Sequence, residues 1–537
     1  MKTLYLINPR PDFPTYFAAD YFEAAGSPSV AQIADLAIPS LATMASPYLD
    51  VTLCDELVTP VDAARGCDIV GITGKISQYR GMVKWASHFR REGKIVAIGG
   101  SLASLSPELM RPHCDVLVRG EIEEIAPQIF SDLAAGIHKS EYVGGRPDMS
   151  TCSVPRWELY PNERALLGTL QTSRGCPFQC EFCDVIQYVG RKQRHKPVAL
   201  VLAELDALYQ HGYRAVFLAD DNFTVYRARA RELLMAIKAW NDRQPDPVRF
   251  FTQLSIEIAK DSEMLALCAQ AGLTTVFVGI ETPNEASLRE TGKRQNLRTN
   301  LVEAVAEFFA HGIAVIGGMI VGFDADTCDV FQAQLDFAQA SCIPNFSVGA
   351  LVAPAATPLH ARLEKDGRLR AGSESAATPW STNIVHPTMT NEELIGGLQW
   401  MVNNLYSPDR FGDRLIGFAN KLEPRRIRRA TNDPRRRVAR GIELVTFDLI
   451  SKLRHAGAAE ARLLNRVTSQ ISHKPDAIPH VFSCLASYLQ VRLMLKQGQF
   501  WEPQLADVPT PAQALVALRT RAASSQSQSM AARGSHA

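Results

Sequence analysis

Short apolar runs alternate with longer amphipathic stretches along the first two-thirds of the chain. Residues 4–8, 51–53, 68–73, 94–98 and 116–118 are apolar runs, and each gives way to Pro, Gly or an acidic residue. Stretches of helical periodicity, such as 79–92, lie between them. Runs this short and this apolar predict strands buried on both faces, and their alternation with helices predicts a parallel sheet. Residues 1–135 are therefore expected to form a doubly wound, Rossmann-like α/β domain. Its ligand would sit beyond the carboxyl ends of the strands.

The same rhythm returns over 166–365. Strand patterns at 166–170, 215–218, 250–258, 275–280, 314–321 and 347–352 are separated by helical patterns such as 198–211, 227–240, 264–271 and 301–311. Six β/α units predict a partial (β/α)6 TIM barrel. Such barrels carry their chemistry on polar residues at strand carboxyl ends. Those residues are Asp220, Asp221 and Asn222, then Gln253 and Ser255, then Glu281, then Gly322. Each also has a plainer reading as a turn or helix cap. In strand 250–258, Leu254, Ile256 and Ile258 are expected on one face and Gln253, Ser255 and Glu257 on the other. Residues 136–165, rich in Gly, Pro and Ser, read as a linker over the surface, with Trp157 and Tyr160 as anchors. Beyond 365 the patterns are helical, at 391–405, 442–453 and 481–495, which predicts a mostly helical domain over 366–520. The Ser/Gln/Ala-rich tail 521–537 reads as disordered.

Composition narrows this picture. A length of 537 residues allows two to four domains at roughly 150 residues each. A net charge of +1 gives no global signal for a polyanionic partner, and nucleic acid is not expected. The densest basic stretch, 423–440, fits an anionic ligand, a membrane surface or a solvated helical face. It lacks the interleaved aromatics of a single-strand binder. No apolar run reaches the roughly 18 residues of a membrane span, and the N-terminus lacks a signal-peptide pattern. Eleven cysteines, an odd number, argue for a reducing compartment, so the cytoplasm is expected.

The chemistry centres on T-S-R-G-C-P-F-Q-C-E-F-C-D-V at 172–185. Cys176, Cys180 and Cys183 follow a strand in a compact loop, spaced C-x3-C-x2-C. Thiolates on such a loop suit an iron–sulfur cluster. Three ligands leave one iron of a four-iron cluster open to a substrate or cofactor. The competing reading is a structural zinc site, which would need a fourth Cys or His; His195 lies outside the loop. Cys54, Cys67 and Cys114 near N-terminal strands are either buried small side chains or ligands of a second cluster.

The cysteine loop resembles the signature of the radical SAM superfamily. That resemblance implies a [4Fe-4S] cluster on Cys176, Cys180 and Cys183, with its open iron chelating S-adenosylmethionine. It places Phe182 against the adenine and the Asp220–Asn222 segment at the SAM amino group. Gln253 and Ser255 fall at the positions that reach the carboxylate or ribose. Glu281, in G-I-E, and Gly322, in G-M-I-V-G-F, match motifs around ribose and adenine. The N-terminal pieces L-I-N-P, D-I-V-G-I-T, I-G-G-S and V-R-G-E resemble the cobalamin-binding domain that precedes many radical SAM domains. The loop 74–81 would then face the lower side of the corrin. No D-x-H-x-x-G supplies a lower cobalt ligand. The helical C-terminus resembles the extension found in the branch that includes hopanoid methylases.

These resemblances imply a cobalamin-dependent radical SAM methyltransferase. Its acceptor would be an unactivated carbon or phosphorus centre of a small molecule or lipid, and its electrons would come from a donor such as flavodoxin or ferredoxin. A cobalamin-independent radical SAM enzyme, performing oxidation, cyclisation or 3-amino-3-carboxypropyl transfer, is the first alternative. A tRNA methylthiotransferase and a non-catalytic metal- or RNA-binding protein follow. No catalytic acid or base is identifiable.

Overall fold

Fifteen strands among the described residues form two parallel sheets and one short ribbon. The computed structural model describes residues 1–370, 378–423 and 437–516, with side chains in the last stretch from residue 444. The basic stretch 423–440 lies outside the described residues, apart from Glu423 and the helical backbone from Arg437, and so does the tail 521–537.

The first sheet takes β1 (Thr3–Asn8), β3 (Asp50–Asp55), β4 (Ile69–Thr73), β5 (Ile95–Gly99), β6 (Val116–Arg119) and β7 (Glu141–Val143) in the order β3-β1-β4-β5-β6-β7. All pairs are parallel. The apolar runs make this sheet because both of its faces are covered. Tyr5, Ile7, Val70 and Ile72 enter one core with Met82 and Phe89 of the helix Tyr79–Arg91. Leu4, Leu6 and Ile69 enter the other, continuous with the rest of the molecule. The sixth strand, β7, comes from the stretch that reads as a linker. Trp157 and Tyr160 there are only 1% and 4% exposed, so the connector is part of the core.

The second sheet contains β2 (Ala31–Ile33), β8 (Ala165–Leu170), β11 (Ala215–Leu218), β12 (Arg249–Leu254), β13 (Leu273–Glu281), β14 (Ala314–Val321) and β15 (Phe346–Ala350), in the order β15-β14-β13-β12-β11-β8-β2. It is a curled, parallel half-barrel, as the sequence predicts, with one strand more than the six expected. The added strand, β2, comes from within residues 1–135 and pairs with β8, Ala31 opposite Ala165. Strand β12 is shorter than expected. It ends at Leu254, and Ile256–Lys260 turns away as a 3-10 helix that buries Ile256 and Ile258.

A half-barrel has two free edges, and here distant segments cover the gap between them. The Tyr16 hydroxyl donates to Val348 O of β15 at 2.8 Å. The helix Ile478–Gln497 reaches the same N-terminal segment, where Gln490 Nε2 donates to Thr15 O and Asp20 Oδ2. The helix Asn391–Leu405 packs beside β15, and Pro408–Lys421 packs beside the helices Leu301–Ala310 and Val330–Ser341. Tyr406 satisfies Phe346 N and O, and Arg414, 1% exposed, donates to the carbonyls of Ile343, Pro344 and Leu405. No helix among the described residues is long and apolar enough to cross a membrane.

Candidate functional site

The cysteine loop leaves the barrel at the carboxyl end of β8. Its neck is a two-stranded ribbon, β9 (Ser173–Arg174) against β10 (Arg194–His195). Asp220, at the end of β11, holds the near strand of that neck. Its carboxylate accepts from Thr172 N and Ser173 N at 2.6 and 3.1 Å, and from both hydroxyls. All its acceptor capacity is spent on backbone and hydroxyl donors, so Asp220 positions the loop and has none left for a cofactor ammonium. Asp221 Oδ2 accepts from Gly175 N at 2.7 Å, one residue before Cys176. Burial raises the Asp221 carboxyl to about 6.

Farther out, Glu181 is clamped between two elements. Its backbone N donates to Thr291 O at 3.0 Å, and its carboxylate takes Arg362 at 2.7 Å. Arg362 also binds Asp324, which Arg368 binds in turn. Burial opposes ionisation of Asp324, but the bonds from Arg368 and Arg362 prevail and hold it at about 2. The loop between Cys180 and Cys183 is thus fixed to Thr291, at the end of the helix Glu285–Glu290, and to the helix Pro358–Lys365, whose Arg362 also binds Asp324 just past β14.

Cys180 is buried, and Cys176 and Cys183 are half-buried. Burial pushes the Cys183 thiol up to about 12 and raises Cys176 as well. Among the described residues, no three Cys, His, Asp or Glu side chains converge on one metal-ion position. His195 does not turn to the loop; its ring meets Tyr226 edge-on at 5.8 Å. Cys54 and Cys67 are buried in the first domain's second core, with Cys114 packed against it.

Two residues that sequence patterns did not single out face the cysteines. Gln295 Nε2 donates to Cys180 Sγ at 3.7 Å. The Lys293 ammonium is buried, and the pull of Glu281, Cys180 and Cys183 outweighs that burial and raises its pKa. Lys293 Nζ binds Glu281 Oε1 at 2.6 Å. A cation and an N–H donor beside the thiolates suit a cluster, whose sulfurs accept such bonds. Strand β13 is shaped to deliver the partner: its register shifts between Gly279 and Glu281, and Glu281 has φ +62°. A Cβ at Gly279 would overlap Glu281 Oε1 and come within 2.8 Å of Lys293 Nζ, so the pair requires glycine there.

Around this centre, Asn222 Nδ2 donates to Ser255 Oγ at 2.7 Å. Its buried Oδ1 has no partner within the protein. Gln253 ends the inward row of β12, its carbonyl accepting from Phe223 N at 3.0 Å. Gly322, at φ +101°, donates its N–H to Asp326 at 2.9 Å. Phe182 lies 5.9 Å from Phe323, against the small cluster of Leu351, Leu359 and Ile384. The carboxyl end of the barrel therefore gathers the three cysteines, a free amide oxygen, an aromatic wall and one compensated cation.

The first sheet turns its own carboxyl edge to this centre. Glu121, just past β6, binds Arg174 of β9 at 2.6 Å and Arg194 of β10 at 2.5 Å, and Arg174 also binds Glu123. Where β4 and β5 end, the two loops pack closely: a Cβ at Gly100, which sits at φ +94°, would come within 2.7 Å of Gly74 O.

Comparison with known proteins gives these features a family. Residues 170–337 match the radical SAM superfamily, and residues 357–497 match a domain of unknown function, DUF4070. An uncharacterized methyltransferase of Synechocystis sp. is 35% identical over 65% of this chain and 65% of its own length. The hopanoid C-2 methylase of Rhodopseudomonas palustris is 34% identical over 51% of this chain and 53% of its own. The chain thus spans about two-thirds and half of the length of these two relatives. The cobalamin-dependent S-adenosylmethionine radical enzyme OxsB, solved with aqua-cobalamin and S-adenosylmethionine bound, shares the fold. It superposes with a TM-score of 0.59 at 15% identity, over 93% of this chain and 80% of that one.

Proposed function

The chain belongs to the radical SAM superfamily through residues 170–337, and on that footing we propose that it is a cobalamin-dependent methyltransferase acting on an unactivated carbon or phosphorus centre of a small molecule or lipid. The observation that carries this reading is Glu121. By binding Arg174 and Arg194 it holds the carboxyl edge of the first sheet against the neck of the cysteine loop. A corrin on one edge and a cluster on the other would then share one enclosed space.

When bound, the cluster and S-adenosylmethionine supply the electron and the radical that opens a substrate C–H bond, and cobalamin supplies the methyl group. The chain's residues do the holding. Cys176, Cys180 and Cys183 each take an iron. Lys293 and Gln295 offset the charge that the thiolates bring into a buried place. Asn222, whose amide Ser255 holds, would face the SAM ammonium, and Gln253 and Ser255 the carboxylate or ribose. Phe182 gives the adenine an apolar wall, and Gly322 lets the backbone approach it. Asp220 and Asp221 orient the loop. Glu281 acts through Lys293. Gly74, Gly100 and the loop 74–81 would bear the corrin. The working compartment is the cytoplasm, and the electron donor is a flavodoxin or ferredoxin.

Relatives in the curated set include a hopanoid methylase and bacteriochlorophyllide methyltransferases, which supports methyl transfer as the reaction class. A cobalamin-independent radical reaction stays as the second reading. Anaerobic reconstitution with iron, sulfide and hydroxocobalamin separates the two. Bound corrin with about four irons per chain, and 5′-deoxyadenosine formed together with S-adenosylhomocysteine, is the expected result. Iron without corrin would overturn the proposal in favour of the second reading, and methylthioadenosine would point to aminocarboxypropyl transfer.

A further inference from the structure

The barrel has a second mouth, and it is not closed. At the amino-terminal ends of the strands, opposite the cysteines, lies a cavity of about 1250 Å³. Small-molecule sites commonly span ~300–1,000 Å³, so this one exceeds what a drug-sized ligand needs. Its walls come from three separate parts of the chain. Tyr16 and Phe17 come from the N-terminal segment, Phe251 and Ile316 from the barrel, and Phe482 and Ala486 from the helix Ile478–Gln497.

The lining is predominantly apolar. At its rim Leu444, Phe447 and Ile478 remain 70%, 63% and 44% exposed. Large apolar side chains gathered at one opening mark a binding surface rather than scattered surface residues.

Between this cavity and the cysteines stands an aromatic partition. Phe217 stacks on Phe251 at 5.0 Å, and Phe17 meets Phe251 at 6.3 Å and Phe277 at 5.8 Å. Strand periodicity puts Gln253 and Gly279 next along the same inward rows, so the polar cofactor centre begins directly above the rings. Phe17 differs from the other three. It is carried by a segment without regular structure and is 38% exposed.

We infer that the lower cavity holds the apolar body of the methyl acceptor, a lipid-sized, hydrocarbon-rich molecule, and that Phe17 is the movable leaf of the partition. Its reacting end passes the rings to reach the centre above. The inference rests on the radical SAM reading for the chemistry, while the cavity itself needs no cofactor.

The test uses the reconstituted full chain and 1,6-diphenylhexatriene, an uncharged hydrocarbon that fluoresces in apolar sites. Saturable binding of one probe per chain is expected, equally in wild type and in Cys180→Ala. Ala486→Phe and Ser483→Phe place a ring in the cavity from one helix. Each should weaken binding about tenfold or more, equivalent to ~1.4 kcal/mol, while iron content and the circular dichroism spectrum report that the chain is still folded. Two variants guard against one that fails to fold. Non-saturable binding by wild type, or unchanged affinity in both folded variants, would overturn the inference. Iron content and SAM cleavage by wild type test the radical reading separately, so either can fail alone.

Discussion

The two mouths of the half-barrel follow opposite rules. The carboxyl mouth is crowded with charge, and nearly every charge has its answer: Glu281 has Lys293, Glu181 has Arg362, and Glu121 has two arginines. The amino mouth is wide and predominantly apolar. In barrels of this kind the carboxyl face carries chemistry and the other face carries stability. Here the amino face is not a packed floor. It is walled by segments from the two ends of the chain, which leaves room that barrel layers would otherwise fill. Charge placement can be exact only where loops are tied down, whereas an apolar enclosure needs shape alone.

Changes at either mouth sharpen this contrast. The largest effect is expected at the cysteines. Cys180→Ala should abolish the cluster, with iron per chain falling close to zero on reconstitution and the brown absorbance lost. Arg414→Leu removes the donor that satisfies three carbonyls between barrel and helical domain. Each buried carbonyl left unpaired costs about 1–3 kcal/mol, so a large drop in unfolding midpoint is expected without loss of the cysteines' ability to bind iron. A denaturant titration and an iron assay on the same sample would show both.

Gly279→Ala acts at the carboxyl mouth alone. Its Cβ would meet Glu281 Oε1 and Lys293 Nζ, the tips of two flexible side chains, so the pair must shift while the surrounding fold is little affected. SAM cleavage should fall further than stability does. Equal losses would mean that the pair is merely structural.

A further effect concerns pH and lies between the two sheets. Asp55 is buried beside Asp35 and accepts from the Tyr160 hydroxyl at 2.7 Å. Burial, reinforced by Asp35, raises its carboxyl from the ordinary 3.8 to about 7. A folded-state value above the unfolded one means the contribution is full below the unfolded value and is lost as pH climbs through the folded one. Unfolding midpoints of the wild type should therefore fall between about pH 4 and pH 7, at a slope of at most ~1.36 kcal/mol per unit. Asp55→Asn should flatten that slope; an unchanged slope would locate the titration elsewhere.

How much of this was legible in the chain depended on how local the signal was. The cysteine loop is one contiguous stretch, so spacing alone identified it. The barrel strands are apolar runs bounded by turns, and the six expected ones formed. Strand β2 escaped because Ala-Gln-Ile is too short to show a period, and its partner lies 134 positions away at Ala165. Lys293 and Gln295 escaped because T-G-K-R-Q-N has no periodicity; only its excess of polar residues between two apolar elements hinted at a task. Arg414 escaped because arginine is seldom fully buried and no pattern over 408–421 was singled out. Asp220 illustrates the converse. Its position after β11 marked it as a cofactor contact, yet the hydroxyls and N–H groups of Thr172 and Ser173 consume it.

The bond from Gln490 to Thr15 joins residues 475 positions apart. During synthesis, the cysteine loop and every strand of the half-barrel are made long before the helix Ile478–Gln497 exists to cover the gap between β2 and β15. The nascent protein therefore passes through a stage with its inner face open on one side, and contacts of such sequence separation form slowly. A cluster delivered in that interval would enter through an opening that the finished molecule no longer has. Truncation ahead of residue 478 would preserve that opening, leaving a protein with its cysteines and strands in place and the inside of the barrel exposed to oxygen.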